Sequence, residues 1–210
     1  MEKMERIYVF KRFERFWHWT QALLIIVMMF TGFAIHGSHQ LMGFEKAVNL
    51  HTTAAWALIT LWVFAIFWHF TTGEWKQYIP TTEKLDAMVK YYLTGIFTNA
   101  PHPFKQTTLK KHNPLQRLAY VGVKLFINPL LWITGLAYMF YSDWPALGIT
   151  FLSLEGVAVA HTIAAFLMLT FFIVHIYFAT TGHTPTAHIK AMVTGWEEVE
   201  AEPTKQGSKG

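Results

Sequence analysis

Long apolar stretches broken by short polar ones dominate this chain. Four of them approach the length of about 20 residues that a helix needs to cross a bilayer. They cover 17–35 (WHWTQALLIIVMMFTGFAI), 51–70 (HTTAAWALITLWVFAIFWHF), 118–141 (including LFINPLLWITGLAYMF) and 157–180 (VAVAHTIAAFLMLTFFIVHIYFAT). The connection between the second and third is too long for a turn. Within it Leu85, Met88, Tyr91, Tyr92 and Ile96 recur at helical spacing across Glu83–Phe97. That amphipathic pattern predicts a helix lying on the membrane surface, broken by Pro101-His102-Pro103. Asn128-Pro129 predicts a kink in the third span, because proline removes a backbone donor. The expected fold is an all-α integral membrane protein, a four-transmembrane-helix bundle. One domain fills residues 1–196, and a polar tail over 197–210 orders on a partner.

Composition agrees: 53% of residues are hydrophobic and 14% charged, a balance ordinary for membrane chains and unusual for soluble domains. The first span holds Trp17, His18 and Trp19 and has no small-residue cleavage site, so it reads as a retained helix. Lys3, Arg6, Lys11, Arg12 and Arg15 precede it, and Lys76, Lys84, Lys90, Lys105, Lys110, Lys111 and Arg117 fill the long connection. The first-to-second connection has only Lys46, and 142–156 has neither lysine nor arginine. The positive-inside rule then places both termini and the long connection in the cytoplasm. The net charge of +4 is a topology signal and argues against nucleic-acid binding. Trp17, Trp75 and Trp144 suit interfacial belts, and Lys124 reads as a snorkelling lysine.

Histidines carry the candidate chemistry. His161 and His175 share the fourth span at an interval of roughly 21 Å, close to four turns, so both leave one helix face. Buried polar groups in a membrane need partners, and neutral imidazole is a good axial ligand for haem iron. With both termini inside, His51 opens the second span level with His161, and His18 opens the first level with His175. The expected pairs are His51–His161 and His18–His175, holding two haems, one near each face. His69 is an alternative inner ligand, but its interval of about 27 Å from His51 does not match the fourth span. His36 falls beyond the depth of the outer pair and reads as a surface or propionate-facing group. The chain has no cysteine, which excludes disulfides, covalently attached haem and thiolate-held clusters.

The order Arg15-Phe16-Trp17-His18-Trp19, Thr31-Gly32, His51, His112-Asn113-Pro114-Leu115-Gln116-Arg117, Ile133-Thr134-Gly135 and His161/His175 resembles a known family. It is similar to the di-haem cytochrome b subunits of bacterial respiratory complexes, such as those of formate dehydrogenase-N, nickel–iron hydrogenase and thiosulfate reductase. The resemblance covers about residues 11–182. It implies haem ligands at His18, His51, His161 and His175, and a quinone pocket beside the cytoplasmic-side haem. Asn113 and Gln116 match the pocket residues, whereas His112 and Leu115 depart from the tyrosine and glycine of some relatives.

The implied protein is an electron-transfer subunit in the bacterial inner membrane, bounded by lipid. It would link a menaquinone or ubiquinone pool to a periplasmic or membrane-anchored redox subunit, an iron–sulfur protein or multihaem cytochrome. The outer connection 142–156, with Trp144, Leu147, Phe151 and Leu152, is a candidate docking surface. Arg12 and Arg15 are candidate propionate partners, and Gly32 and Gly135 candidates for close approach of a ring or a backbone.

Simpler explanations stand beside several of these residues. Asn113-Pro114-x-Gln116 is also a helix start, with asparagine as N-cap, proline next and glutamine reaching back. The arginines fit the positive-inside pattern equally well. Two other functions use the same histidines: a histidine-lined metal or proton transporter, which would carry no haem, and a stand-alone cytochrome b without a partner subunit.

Overall fold

The structure is a computed structural model that describes residues 4–98, 100–101, 103–104, 107–108 and 110–200. The readings on Lys3, His102, Lys105 and residues 201–210 lie outside the described residues. In chain order the elements are β1 (Met4–Tyr8), α1 (Arg12–Ile35), α2 (Phe44–Thr72), α3 (Leu85–Leu93), α4 (Pro114–Gly122), α5 (Asn128–Met139), α6 (Leu154–Ala179), α7 (Ala187–Thr194) and β2 (Trp196–Glu200). Among the described residues four helices are long and apolar enough to cross a membrane: α1, α2, the continuous Pro114–Met139 and α6. Large apolar side chains such as Leu23, Phe64, Phe67, Ile133 and Ile173 point outward from them. Such a surface needs hydrocarbon around it.

α1 packs along α2, and α5 along α6, forming two hairpins. Across the hairpins side chains do the bridging: Trp62 of α2 meets Trp132 of α5 with centroids 5.0 Å apart, and Phe33 of α1 meets Phe166 of α6 at 6.3 Å. Histidine pairs make further cross-hairpin contacts. One end of the bundle, the terminal end, carries β1 and β2, and the other carries the short connections 36–43 and 140–153.

The third span is one rod with a defect. Val123–Ile127 form a π-helical turn immediately before Asn128 and Pro129. A wide turn is one way for a helix to absorb a proline that lacks its N–H. The rod starts on a reciprocal cap: Gln116 N donates to Asn113 Oδ1 at 2.8 Å, and Asn113 N donates to Gln116 Oε1 at 3.0 Å. α3 realises the amphipathic prediction. Its Met88 is fully buried, while Val89, Leu93 and the following Phe97 form an exposed apolar stripe. That stripe suits a helix resting on lipid.

The terminal end is tied by elements that the apolar pattern does not announce. β1 pairs antiparallel with β2, from Met4 opposite Glu200 to Tyr8 opposite Trp196. Residues 197–200, read from sequence as the start of a tail, therefore belong to a two-stranded sheet. Gly195 closes α7 at φ +90, where an added Cβ would lie 2.6 Å from Tyr8 and 2.8 Å from the Phe10 carbonyl. α7 is held to α1 by Arg15 donating to the Val193 carbonyl at 2.6 Å and Trp19 Nε1 to the Met192 carbonyl at 3.1 Å.

A buried ion network ties the same end. Lys111 Nζ bonds both Glu14 oxygens, at 2.8 and 2.9 Å, and Glu74 Oε2 at 2.8 Å. Lys11 completes it at 2.6 Å from Glu74. The network joins the start of α1, the 3-10 turn Glu74–Tyr78 after α2, and the segment leading into α4. Burial pushes the Glu74 carboxyl up, but the bonds from Lys11 and Lys111 outweigh it and leave it below the usual value. The bond to Glu74 in turn raises Lys11.

Candidate functional site

Two histidine pairs meet across the hairpins. Toward the loop end, His51 of α2 and His161 of α6 face each other with centroids 6.4 Å apart. Each is held from behind by a threonine of the neighbouring helix. His51 Nδ1 lies 2.9 Å from Thr31 Oγ1, and His161 Nδ1 lies 2.9 Å from Thr134 Oγ1. Both hydroxyls already donate to their own helix, Thr31 to the Val27 carbonyl and Thr134 to the Leu130 carbonyl. A hydroxyl has one proton, so the threonine oxygen accepts and Nδ1–H donates. The tautomer that follows leaves Nε2 with its lone pair free on each ring. Gly32 and Gly135 adjoin these threonines and face the imidazole edges. A Cβ there would lie 3.7 Å from His51 Cε1 and 3.3 Å from His161 Cε1.

At the terminal end His18 of α1 and His175 of α6 stand 6.0 Å apart, centroid to centroid. Aromatic rings frame this pair. Trp19 meets His18 edge-on at 5.2 Å, and Phe171 stacks on His175 at 5.7 Å. No threonine backs it: His18 Nδ1 is buried without a partner.

Metal–imidazole bonds are about 2.0–2.1 Å, and a ring centroid lies about 1.1 Å behind its nitrogen, so two imidazoles sharing one metal have centroids roughly 6.3 Å apart. The observed 6.4 and 6.0 Å match that spacing. Among the described residues no group of three or more histidine, cysteine or carboxylate side chains could hold a bare metal ion. A metal carried in a macrocycle, which needs only two axial donors, suits these pairs better. The residues fit haem iron at both ends.

His69 is placed elsewhere. Its Nδ1 lies 2.6 Å from the Ala65 carbonyl, and its ring is surrounded by Trp17, Trp68 and Tyr78, with Nε2 unpartnered. It faces no second histidine. His36 lies 3.5 Å from the Thr162 hydroxyl at the loop end. Arg15 is committed through one nitrogen to α7, while Arg12 is exposed.

The start of the third span forms a second polar centre. Asn113 is buried; besides capping the helix, its Nδ2 donates to the Tyr92 hydroxyl at 3.2 Å. Burial pushes that Tyr92 hydroxyl up. His112 stacks on Tyr78 at 5.3 Å and meets the edge of Tyr120 at 5.1 Å. Tyr120 in turn contacts His175 at 6.4 Å. Burial, reinforced by the charges of Lys124, Lys111 and Arg117, pushes His112 down to about 3, so it is neutral at physiological pH. Lys124 does not end in water. Its Nζ sits 3.0 Å from the centroid of Tyr78.

Several of these residues carry roles that the pattern of apolar runs does not assign. Thr31 and Thr134 enter the sequence reading as fragments of a resemblance, yet each orients a loop-end imidazole. Both occur as Thr-Gly inside a span next to a histidine-bearing helix, and that repeated dipeptide is the signal. Lys111, read as a topology charge, is the centre of the buried ion network. Glu14 and Glu74 are acids at the terminal-end boundaries of the first two spans, which is a second usable signal.

The profile of the family described as prokaryotic cytochrome b561 matches residues 9–195. The chain is 32% identical over 201 residues to the provisionally named cytochrome YdhU of Escherichia coli (strain K12), an alignment covering 91% of this chain and 75% of that protein. No solved structure matches. A membrane-length bundle whose facing imidazoles are spaced for axial ligation, matched almost end to end by that profile, belongs to the prokaryotic cytochrome b561 family, transmembrane electron-transfer proteins that use b-type haem.

Proposed function

We propose that this chain is the membrane-anchoring di-haem subunit of a respiratory oxidoreductase complex. It carries electrons across the bacterial inner membrane between a quinone site on the cytoplasmic side and a redox partner on the periplasmic side. The observation that carries the reading is the pair of His–His contacts at opposite ends of one bundle, at 6.4 and 6.0 Å. The lysine and arginine bias supports a cytoplasmic assignment for the terminal end.

His51 and His161 hold one haem, and His18 and His175 the other. Bound there, haem supplies reversible one-electron oxidation and reduction. The protein's part is placement. Thr31 and Thr134 fix the outer imidazoles in the tautomer that presents Nε2, and Gly32 and Gly135 leave space at the ring edges. Arg12 and Arg15 supply positive charge near the inner pair for the propionates. The quinone site lies at the start of the third span, around His112, Asn113 and Gln116, within ring contact of His175 through Tyr120.

The partner, an iron–sulfur or multihaem protein, docks on the loop end. Leu147 and Phe151 are 66% and 83% exposed there, while Trp144 is buried and donates to the Ala137 carbonyl.

Adding a short-chain menaquinol or ubiquinol to membranes containing the chain tests the quinone half. The haem absorption bands develop their reduced form if the reading is right. Bands that respond to dithionite and to neither quinol contradict it.

A further inference from the structure

Two tryptophans meet in the part of the bundle that separates the histidine pairs. Trp62 of α2 and Trp132 of α5 make an edge contact, with centroids 5.0 Å apart and ring planes at 65°. Trp62 follows His51 by eleven residues, roughly 16.5 Å of helix and close to three turns, so it leaves the same face nearer the terminal end. Trp132 precedes by two residues Thr134, which bonds His161, so its backbone sits near the level of the loop-end pair. Side chains lean toward the N-terminus of their own helix. α2 begins at the loop end and the third span at the terminal end, so the two indoles lean toward each other. Each is rooted near one histidine pair, and they touch between the two.

A polar group fixes this contact. Gln21 of α1 lies three residues after His18, and its Oε1 accepts from Trp62 Nε1 at 2.8 Å. An amide inside a membrane span is costly without a partner. Apolar packing alone would ask for leucine or phenylalanine here, with no glutamine to satisfy. Instead the amide and the indole N–H satisfy each other, which sets the orientation of the Trp62 ring. On α6, Met168 is buried at equal intervals of seven residues from His161 and His175. Each of the four spans thus supplies a side chain to the layer between the pairs.

We propose that the Trp62–Trp132 contact is the bridge through which electrons cross between the two histidine pairs, with Gln21 as the positioning residue that orients Trp62. This rests on the di-haem reading above and names the residues between its two ends. One electron leaves ferrous iron at one pair and arrives at ferric iron at the other; no bond forms or breaks. The indoles are neither oxidised nor reduced, and supply electronic coupling only. Tunnelling decays faster across empty space than through packed, polarisable atoms. Over the interval of roughly 21 Å between His161 and His175, the intervening medium therefore sets the rate.

The test uses the haem-loaded protein in detergent. The chain has no cysteine, so Ser38→Cys at the exposed loop end takes a ruthenium photoreductant at one place. A laser flash reduces the loop-end haem first, and absorbance then follows the electron to the terminal-end haem. His175→Ala gives the reference spectrum of the loop-end haem alone. In Trp62→Leu and in Trp132→Leu the first phase is unchanged and the second slows several-fold, while Trp62→Phe, which keeps a ring, loses less. Gln21→Leu also slows the second phase, and ultraviolet resonance Raman of the indole N–H shows Trp62 released. Haem content and both midpoint potentials stay at their wild-type values, which a merely structural disturbance would move.

A second phase of wild-type rate in both leucine variants overturns the bridge and leaves the di-haem reading intact. Slowing accompanied by haem loss or shifted potentials assigns the tryptophans to packing and overturns it as well. Fewer than two haems in the wild type remove the reading and the bridge together. Should the leucine variants not accumulate, Trp62→Phe and Gln21→Leu decide, and wild-type rates in both overturn the bridge.

Discussion

The hydroxyl of Thr31 stands 2.9 Å from Nδ1 of His51 and is already donating its own proton to the helix behind it. The imidazole must therefore give its Nδ1–H to threonine and keep Nε2 for a metal. Thr134 and His161 repeat the arrangement at 2.9 Å on the opposite side of the same space. Such a bond raises the basicity of an axial imidazole and stabilises ferric iron. Thr31→Val and Thr134→Val each remove it with little change in volume. Each is expected to raise the midpoint potential of the outer haem by about 20–60 mV, the equivalent of one modest hydrogen bond. The inner haem should not move. Potentiometric titration of the absorption bands reads both.

The two glycines behind the outer pair are not equivalent. A methyl at position 135 lies 3.3 Å from His161 Cε1, tighter than normal packing, whereas one at 32 lies at an ordinary 3.7 Å from His51. Gly135→Ala should therefore push the imidazole and lower outer-haem retention, with overpacking worth about 1–3 kcal/mol. Gly32→Ala should retain wild-type haem content. Pyridine haemochrome assay of the two purified variants compares them directly.

Lys111 bridges two largely buried carboxylates, Glu14 and Glu74, and Lys11 supplies the second positive charge at Glu74. Removing Lys111 leaves Glu74 to Lys11 and the buried Glu14 uncompensated, a loss of about 3–5 kcal/mol. Lys111→Met should lower the thermal unfolding midpoint markedly, and Glu14→Gln in the same chain should restore part of the loss. Equal midpoints for wild type and Lys111→Met would show that the network does not hold the terminal end together.

Acid should destabilise the protein through two groups of the same sign. His112 is pushed from 6.5 to about 3, so between those values the unfolded chain binds a proton that the folded chain does not. Stability is present above 6.5 and falls as pH drops toward 3. Glu74, held below its ordinary 4.5, adds stability above that value that is lost as pH falls through its folded pKa. Unfolding midpoints at about pH 7 and about pH 5 should differ less in His112→Phe than in wild type, because the unfolded state then has one fewer site to protonate.

The spans and the meeting of His18 with His175 and His51 with His161 were readable because helical rise converts residue number directly into depth. The same arithmetic disfavoured His69 but left it as an alternative, and its ring meets Trp17, Trp68 and Tyr78 instead. Other features depend on contacts between distant segments, which a run of apolar residues does not encode. β1 and β2 are joined from opposite ends of the described chain. Lys111 looked like one positive-inside charge among several until folding brought Glu14 and Glu74 to it. Pro129 marked the place where the third span departs from α-helix, but the form of that departure, a π turn carrying Lys124 beside Tyr78, did not follow from the proline. Threonine in a membrane helix usually serves its own backbone, as Thr60 does. The glycine that follows each of Thr31 and Thr134 within a span sets them apart in sequence, and the contact with His51 and His161 gives that mark its meaning.

The central claim is that these imidazole pairs hold two b haems. Quantitative pyridine haemochrome analysis against protein concentration, on detergent-purified wild-type chain, measures it most directly. The account predicts two b haems per chain, falling to one in His161→Ala and in His175→Ala alike. A single haem in the wild type, or a chain that retains both after either substitution, would contradict it.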